Sequence, residues 1–414
     1  MACKLRSMAA AVVLLAAGGA QAAPVEPKYE RLFDAAWKAV DQTFYDPAFH
    51  GVNWKAVGAR HRAKLAGVDT DAEFQALVSA MLAELKSSHL SVRPPSSSSA
   101  RGVGPAVQVR DYAGRRVITE VAVASDAQRQ TLRPGDVIMS GALSGPLGST
   151  ATLEVETCSG ERRTVSVRRE AAFWPPARPA FSWSQIAVRP GVKIGYLRVD
   201  RFDDGAAELI DAAMADLGGT SGLIIDVRNN SGGNTSALRL GSYFGDEAPA
   251  VVLLSRAYLN ALGHPVGPAD IRDAPKVSGA YTDESVFAAV TRHQGSAGFW
   301  TEDVGAKRYK APVVVLTGED TGSAAEGFAW YMRLNTHARL VGRPTAGALL
   351  SGETTPLGDG WSITIPVHGV WGPDGTSFND ASVPPHETVA AGREDLCQGR
   401  DADIARALDL LIKP

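Results

Sequence analysis

A serine followed by small residues is the first candidate for chemistry in this sequence. From Val313 the chain passes from an apolar run, typical of a buried strand, through a polar turn into a helix, so Ser323 falls at or just before a helix N-terminus. Unpaired N–H groups and the positive end of the helix dipole stabilise an anion there. Acyl transfer needs such amides beside a nucleophilic hydroxyl. Serine is also a preferred N-cap, and this stretch alone favours that structural role.

A second apolar run ends in a polar, glycine-rich turn. It reads Leu223–Val227 followed by Arg-Asn-Asn-Ser-Gly-Gly, with the adjacent glycines at 232 and 233. Two neighbouring glycines let backbone N–H groups approach a ligand without side-chain obstruction. The turn is not a phosphate loop, because the spaced glycines and the Lys-Ser/Thr ending are missing. Asp226, Arg228 and Asn230 are expected to brace the strand ends rather than to perform chemistry.

Together these two stretches resemble the C-terminal processing (tail-specific) serine peptidases. The motifs of that family, "Asp-x-Arg-x-Asn-x-Gly-Gly" and "Ser-Ala-x-Glu", correspond here to residues 226–233 and 323–326. The resemblance extends over nearly all of the mature chain. It implies an α/β fold class with an N-terminal helical domain, a PDZ-like β domain and a catalytic core of the Clp protease/crotonase-like type. It also implies Ser323 as the nucleophile, with an oxyanion hole from the backbone amides of Gly232 or Gly233 and of Ala324.

The general base cannot be the lysine that one branch of the family uses. That lysine lies in "Thr-x-Gly-Lys-Gly", where this sequence has Ala348, and no lysine occurs from Ala311 to Ile412. Histidine is the natural base at neutral pH. The stretch Leu85–Leu90 is similar to the tricorn-type branch, which implies His89 as base and Ser88 as its orienting partner. His337 is a rival, but the rise of the helix after Ser323 is expected to carry it away.

The fourth member of the tricorn-type tetrad is a glutamate, and here the sequence departs from the pattern. Asn379 falls in the glutamate position, and His386 replaces the aspartate of the "Gly-Val-x-Pro-Asp" motif that follows. We predict that Asp380, one residue further on, takes the acidic role, with Glu353 as another possibility.

Hydrophobic periodicity divides the chain into regions that must position these residues. The sequence predicts a signal peptide over residues 1–22, a helical domain over 23–93 and a linker over 94–99. It then predicts the PDZ-like domain over 100–170 and the α/β core over 176–414. Within the core, the segment 245–309 is a possible lid or insertion. In the PDZ-like region, Gly102, Val103 and Gly104 occupy the position of a carboxylate-binding loop for a peptide substrate. A small β-barrel that only spaces its neighbours is the alternative.

Composition and charge exclude several classes of protein. The chain has 414 residues, 45% of them hydrophobic and 21% charged, with a net charge of −3. This is a globular balance without the basic excess that binds nucleic acid or an anionic membrane. Beyond the signal peptide no apolar run is long enough for a membrane anchor. Cys158 and Cys397 could form one disulfide in an oxidising compartment, and they are too few for a zinc site.

The sequence therefore predicts an exported serine peptidase, periplasmic or secreted, that acts on peptides or proteins without metal or cofactor. A degenerate relative that binds peptides but no longer cuts them is the alternative, because the glutamate position is altered. An esterase is a weaker alternative, since the Gly-x-Ser-x-Gly motif typical of esterases is absent. The sequence makes no prediction of the oligomeric state.

Overall fold

Three helices begin the part of the chain that the computed structural model describes, which comprises residues 27–95, 103–171, 180–390 and 392–412. The predicted signal peptide and Gly102 lie outside these residues. The N-terminal helices are α1 (Pro27–Thr43), α2 (Trp54–Arg62) and α3 (Asp71–Ala83). Within the described ranges, none of the helices is both long and apolar enough to cross a membrane.

A short strand and a small β domain follow the helices. Strand β1 (Ser91–Arg93) leads into the β domain, residues 103–171, whose elements are β2 (Val107–Tyr112), β3 (Arg115–Val121), α4 (Asp126–Arg129), β4 (Val137–Ser140), β5 (Thr150–Glu156) and β6 (Arg162–Arg168). The five strands form an antiparallel sheet in chain order around their own apolar cluster.

The remaining residues alternate between strands and helices, as the sequence predicts. The first half comprises β7 (Phe181–Arg189), β8 (Val192–Val199), α5 (Ala206–Leu217), β9 (Gly222–Asp226), α6 (Ser236–Gly241), β10 (Pro249–Ser255), α7 (Arg256–Leu262), α8 (Pro268–Arg272), β11 (Lys276–Val277), α9 (Asp283–Arg292) and β12 (Ser296–Trp300). The second half comprises β13 (Val313–Thr317), α10 (Ala324–Asn335), β14 (Arg339–Gly342), β15 (Ser351–Gly358), β16 (Trp361–Trp371), β17 (Glu387–Thr388), α11 (Arg393–Cys397) and α12 (Ala402–Ile412).

These strands form two six-stranded sheets. The first has the order β17-β14-β13-β9-β8-β7 and is parallel except for the β7–β8 hairpin. The second has the order β1-β16-β10-β12-β11, with β15 also paired to β16. In the first sheet, the carboxyl ends of β9 and β13 lie side by side, so the two polar turns singled out in the sequence emerge at the same edge.

Helices cover both sheets and produce a layered core. One face of the first sheet packs against α12, and its other face packs against α5, α6 and α10. Of these, α10 also contacts the second sheet at β10, and the outer face of that sheet is covered by α1–α3. Alternate residues of β9 serve the two faces, with Ile224 against α12 and Ile225 in the central cluster. The α/β fold class with a helical N-terminal region is confirmed.

The N-terminal helices are not a unit with a core of their own. Their apolar residues share one cluster with β1, β10 and β16, including the fully buried Trp361. Strand β1 pairs antiparallel with β16, with Val92 opposite Ile363. The helices and β1 are therefore an outer layer of the core.

The segment 245–309, interpreted from sequence as a possible lid or insertion, contributes strands β10, β11 and β12 to the second sheet. Strand β10 pairs with both β12 and β16, and its residues from Ala250 to Leu254 are buried. The segment is less regular in sequence because the helices α7, α8 and α9 that connect these strands are short. Of these, α9 borders the cavity described below.

The β domain is attached to the core at two places. A disulfide joins Cys158, in the turn after β5, to Cys397 at the end of α11, and Arg393 of α11 donates to Gly135 O at 2.8 Å. At the other place Arg110 of β2 forms an ion pair with Asp320, three residues before Ser323. The domain is thus linked to the loop that carries the candidate nucleophile.

The loop predicted to bind a peptide carboxylate is partly used within the β domain. The Val103 N–H donates to Gly145 O at 2.9 Å, and Gly104 O accepts from Glu170 N. The Val103 N–H already donates within the domain, so it is not available to a peptide carboxylate. Val103 therefore does not fit the predicted role in carboxylate binding. Carboxylate binding stays a prediction for the other two residues of the loop.

We expect the variant with both Cys158→Ser and Cys397→Ser to lose about 2–4 kcal/mol of unfolding free energy, because the disulfide closes a long loop in the unfolded chain. Thermal unfolding under oxidising conditions measures the change. Wild-type protein treated with reductant is the control and should unfold at the same temperature as the double variant. An unchanged midpoint in the variant would contradict the expected contribution.

Candidate active site

Ser323 lies between β13 and α10 in a backbone conformation that is unusual for a residue with a side chain. Its φ of 49° and ψ of −123° fall outside the regions that L-residues favour, and such strain is concentrated at functional sites. Its side chain makes no capping hydrogen bond to α10. The hydroxyl is therefore not used as a plain helix cap, the role that its sequence context favours.

Glu326 holds the Ser323 backbone in this conformation. Its buried carboxylate accepts from Ser323 N (3.1 Å), Thr345 Oγ1 (2.5 Å), Gly347 N (2.7 Å) and Ala348 N (2.7 Å). Burial raises the pKa of this carboxyl above its ordinary value, and the four hydrogen bonds act in the opposite direction. Glu326 thus joins the start of α10 to the loop at 345–348, in which an alanine replaces the family's lysine.

The glycine pair packs directly against the serine. A Cβ at position 232 would lie 2.6 Å from Ser323 Cβ, so only glycine fits there. Asn230 connects the two turns, because its Oδ1 accepts from Gly232 N at 2.8 Å and its backbone O accepts from Gly322 N at 2.9 Å. The Gly232 N–H is therefore already paired, which disfavours it as an oxyanion donor. Gly233 and Ala324 both line the cavity in front of Ser323.

Arg228 braces the strand end, as the sequence suggested. Its guanidinium donates to both carboxylate oxygens of Asp226 at 2.9 and 2.7 Å, and to Asp401 and Asp403 at the start of α12. None of these four residues lines the cavity at Ser323. The cluster therefore ties the C-terminal helix to the carboxyl end of β9.

His89 reaches this region through the pairing of β1 with β16. The imidazole precedes β1 by two residues, and its φ of 59° lies in the left-handed region. It packs against β15, where a Cβ on Gly352 would lie 3.5 Å from His89 Cδ2. Together with Ser323 it lines one cavity of about 390 Å³. The layered fold thus brings together two residues from opposite ends of the chain.

Ser88 lies beside the His89 imidazole, and Asp380 bonds to the two serines that precede His89. Ser88 Oγ lies 3.3 Å from His89 Nδ1, and Ser88 N donates to Asp380 Oδ1 at 2.7 Å. Ser87 Oγ donates to the second oxygen of Asp380 at 3.3 Å. Burial lowers the pKa of His89, and the negative charge of Asp380 partly opposes this shift. The imidazole is therefore neutral at pH 7, the form that accepts a proton.

Asn379, Asp380 and Glu353 are the three candidates for the acidic position of the tetrad. Among the described residues, Asp380 is the one of these three that bonds to the segment carrying His89. Asn379 turns away, with Oδ1 accepting from Val370 N at 2.7 Å and Nδ2 donating to Ser377 Oγ at 2.8 Å. Glu353 is exposed, because it follows Gly352 on β15 and successive side chains point to opposite faces of a strand. The rival base, His337, is exposed beyond the end of α10 and does not line the cavity.

The cavity has a mixed lining, in which Arg201 and Asp283 are the charged residues besides His89. Its aliphatic part comes from α6, β10, α9, the loop before β15, and β16, namely Leu238, Val251, Leu253, Val286, Leu349 and Val370. Such a pocket accepts an apolar side chain next to the reacting atoms. Within the described ranges, no group of three or more His, Cys, Asp or Glu side chains is arranged to hold a metal ion.

Comparison with known proteins identifies the family. Residues 193–389 match the model of Peptidase family S41, and residues 26–83 match that of the Tricorn protease C1 domain. The chain therefore contains an S41 peptidase domain and a tricorn-type N-terminal segment. It is a hydrolase similar to the carboxyl-terminal processing proteases. The resemblance identified from the two motifs is confirmed.

Relatives match along most of the chain. The chloroplastic C-terminal processing peptidase of Tetradesmus obliquus is 23% identical over 416 residues, which cover 91% of this chain and 82% of the relative. The solved structure of the photosystem II D1 C-terminal processing protease has a TM-score of 0.53 at 20% identity and covers 91% of this chain and 99% of that one. The tricorn protease structure has a TM-score of 0.53 at 17% identity, covering 93% of this chain and 36% of that one. These likenesses show the shared fold with its Clp/crotonase-like core.

The sequence analysis gave Glu326 no structural role, although the sequence contains a pattern that predicts its bond to the Ser323 backbone. Glutamate three residues after an N-cap serine is the signature of a capping box, in which the carboxylate accepts from the N-cap N–H. The Ser323–Glu326 spacing meets this pattern. Its contacts with residues 345–348 could not be read from spacing, because they join segments that only the fold brings together.

We expect Glu326→Gln to lower the free energy of unfolding by about 1–3 kcal/mol, because an amide in place of a carboxylate leaves at least one buried backbone donor unpaired. Urea denaturation measures the effect. Glu353→Gln, which makes the same chemical change at an exposed position, is the matched control and should unfold like the wild type. Equal midpoints for the two variants would show that the Glu326 contacts contribute nothing to stability.

Proposed function

We propose that the chain is an exported serine endopeptidase in which Ser323 is the nucleophile and His89 the general base. The observation that carries the proposal is that these two side chains line one cavity, although they come from opposite ends of the sequence. The strained backbone of Ser323 and its unused capping position support the assignment. The lack of a lysine in the loop at 345–348 is consistent with a histidine base.

The arrangement supports the usual two steps of acyl-enzyme hydrolysis. Because Nδ1 of His89 faces Ser88, Nε2 is the nitrogen that takes the proton of Ser323 as the hydroxyl attacks the peptide carbonyl. The backbone N–H groups of Gly233 and Ala324 stabilise the oxyanion, and His89 then protonates the leaving amine. Water repeats the sequence on the acyl-enzyme, with His89 again acting first as base and then as acid.

In our proposal Asp380 is the acidic member of the tetrad with Ser323, His89 and Ser88. It lies one position after the glutamate of the tricorn-type pattern. Its left-handed φ of 55° turns the side chain toward Ser87 and Ser88, whereas Asn379 bonds to the end of β16. Asp380 thus acts on His89 through Ser88 and through its charge. An acidic group at this place supports the peptidase over a degenerate peptide-binding protein, the alternative suggested by the altered glutamate position.

The cavity supports a peptide substrate with an apolar side chain before the scissile bond. The aliphatic wall lies next to Ser323 and Ala324, where that side chain would rest when the carbonyl faces the amide donors. We expect the β domain to bind or admit substrate, since Arg110 couples it to the loop before Ser323.

Export to a periplasmic or extracellular location is supported by two features. Residues 1–22 carry the charged, apolar and small-residue pattern of a signal peptide. The disulfide between Cys158 and Cys397 is typical of proteins in oxidising compartments.

The decisive test is reaction with a fluorophosphonate probe together with hydrolysis of a peptide that has an apolar residue before the cleaved bond. We expect Ser323→Ala and His89→Ala to abolish labelling and to lower kcat by at least about a thousandfold, because the serine loses either its oxygen or its base. His337→Ala is the matched control and should keep wild-type rates. Unchanged hydrolysis by Ser323→Ala would refute the proposal, and peptide binding without labelling of the wild type would favour the binding-protein alternative.

The pH dependence of kcat/KM tests the role of Asp380. In Asp380→Asn the amide oxygen can still accept from Ser88 N, but the charge that opposes the lowering of the His89 pKa is lost. We therefore expect the acidic limb of the profile to move to lower pH and the maximal rate to fall about tenfold, equal to about 1.4 kcal/mol of imidazolium stabilisation. Glu353→Gln should leave the profile unchanged. A limb that moves to higher pH would contradict the electrostatic role.

A further inference from the structure

The segment that presents Ser88 and His89 has little regular structure to define its path. It lies between the end of α3 at Ala83 and the start of β1 at Ser91, and both Lys86 and His89 have left-handed φ values, 49° and 59°. Among the described residues, two hydrogen bonds join its backbone to side chains distant in sequence. One is the bond from Ser88 N to Asp380, and the other joins Leu85 O to His50 Nδ1 at 3.0 Å.

The contacts of His50 determine which ring nitrogen carries the proton. A carbonyl oxygen only accepts hydrogen bonds, so Nδ1 must be protonated to donate to Leu85 O. The hydroxyl of Tyr45 lies 2.8 Å from Nε2, and Asp46 Oδ2 lies 3.8 Å from the same nitrogen. The His50 ring thus connects Tyr45 to the carbonyl of Leu85.

Tyr45 and the backbone of His50 are themselves firmly held. Tyr45 is buried, and its N–H donates to Pro366 O of β16 at 3.0 Å. Burial and the charges of Asp380 and Asp46 raise the pKa of Tyr45 well above its ordinary value, so its hydroxyl remains a donor. Asp46 accepts from the backbone N–H of His50 at 2.5 Å, which stabilises the left-handed turn at that residue.

We propose that His50 and Tyr45 are positioning residues for the His89 base, and this inference rests on the proposed function. Through Leu85 they connect β16 to the start of the segment, while Asp380 holds it at Ser88. The imidazole of His89 is thereby fixed from two sides relative to Ser323. Neither His50 nor Tyr45 lines the cavity at Ser323, so their effect on the reaction is transmitted by the backbone.

Two substitutions at His50 separate positioning from general stability. Asparagine places its amide N–H near the position of Nδ1 and can still donate to Leu85 O, whereas glutamine places its amide near Nε2 and cannot. We expect His50→Asn to keep kcat within about threefold of the wild type. We expect His50→Gln to lower kcat about ten- to a hundredfold with KM unchanged, because a displacement of about 1 Å at a reacting group costs this much.

A second variant removes one hydroxyl and leaves the ring packing intact. Tyr45→Phe should lower kcat about fivefold, the equivalent of one hydrogen bond worth about 1 kcal/mol, with the same KM. His264→Gln is the matched control, since this exposed histidine borders the same surface cavity as His50, and its polar contacts are with Pro265 and Asp270 rather than with the segment before β1. It should behave like the wild type.

The measurements are steady-state kcat and KM and the rate of fluorophosphonate labelling, with thermal unfolding of each variant. Loss of kcat in His50→Gln and its rescue in His50→Asn, at equal unfolding temperatures, support the inference. Equal rates for the two variants, whether both reduced or both like the wild type, overturn it. If the wild type labels at Ser323, such a result leaves the proposed function intact, and if the wild type neither labels nor cleaves, both fail.

Discussion

The pairing of β1 with β16 is the contact on which the candidate active site depends. It lasts for only three residues, from Ser91 to Arg93, but it makes the N-terminal helices part of the second sheet. Because His89 lies only two residues before this strand, the register of the pairing sets the position of the imidazole along β16. The cluster around Trp361 and Phe74 buries the helices against the same sheet and prevents the pairing from slipping. Hydrophobic packing of α1–α3 against the second sheet thus fixes the position of the His89 imidazole.

Three residues of the proposed site share an unfavourable backbone conformation. Ser323, His89 and Asp380 all have positive φ values, which cost energy for residues other than glycine. Hydrogen bonds hold the backbone at or beside each of them. Ser323 N donates to Glu326, and Ser88 N donates to Asp380. In the loop after Asp380, Val383 N donates to Thr345 Oγ1, which itself donates to Glu326. These bonds form a continuous connection from α10 through the loop at 345–348 to the segment before β1.

Local patterns in the sequence predicted much of the fold. The apolar runs from Val313 and from Leu223 lie in buried strands, as the sequence predicts, and the two polar turns meet as the carboxyl ends of neighbouring parallel strands should. The family motifs identified the serine and directed attention to His89. Packing between distant segments was not readable in this way. Periodicity could not reveal that α1–α3 share a core with β16, since an amphipathic helix shows that it has a buried face but not what covers that face.

The acidic position illustrates the same limit at the level of a single residue. Alignment with the family pattern points to Asn379, and spacing cannot distinguish it from Asp380. A left-handed turn at residue 380 reverses which of the two side chains faces Ser88. Gly232 is a similar case. Its place in the motif suggested a backbone N–H that is free to bind an oxyanion, but this N–H donates to Oδ1 of Asn230. Both outcomes depend on hydrogen bonds formed only when separate loops meet.

The wide separation of Ser323 and His89 along the chain has a consequence for biosynthesis. A nascent polypeptide that has emerged only as far as the β domain contains the imidazole but no serine, and a fragment that begins at β7 contains the serine but no imidazole. With these two residues as the catalytic pair, an incomplete chain lacks one of them, and proteolytic competence appears only after the layers of the core have assembled.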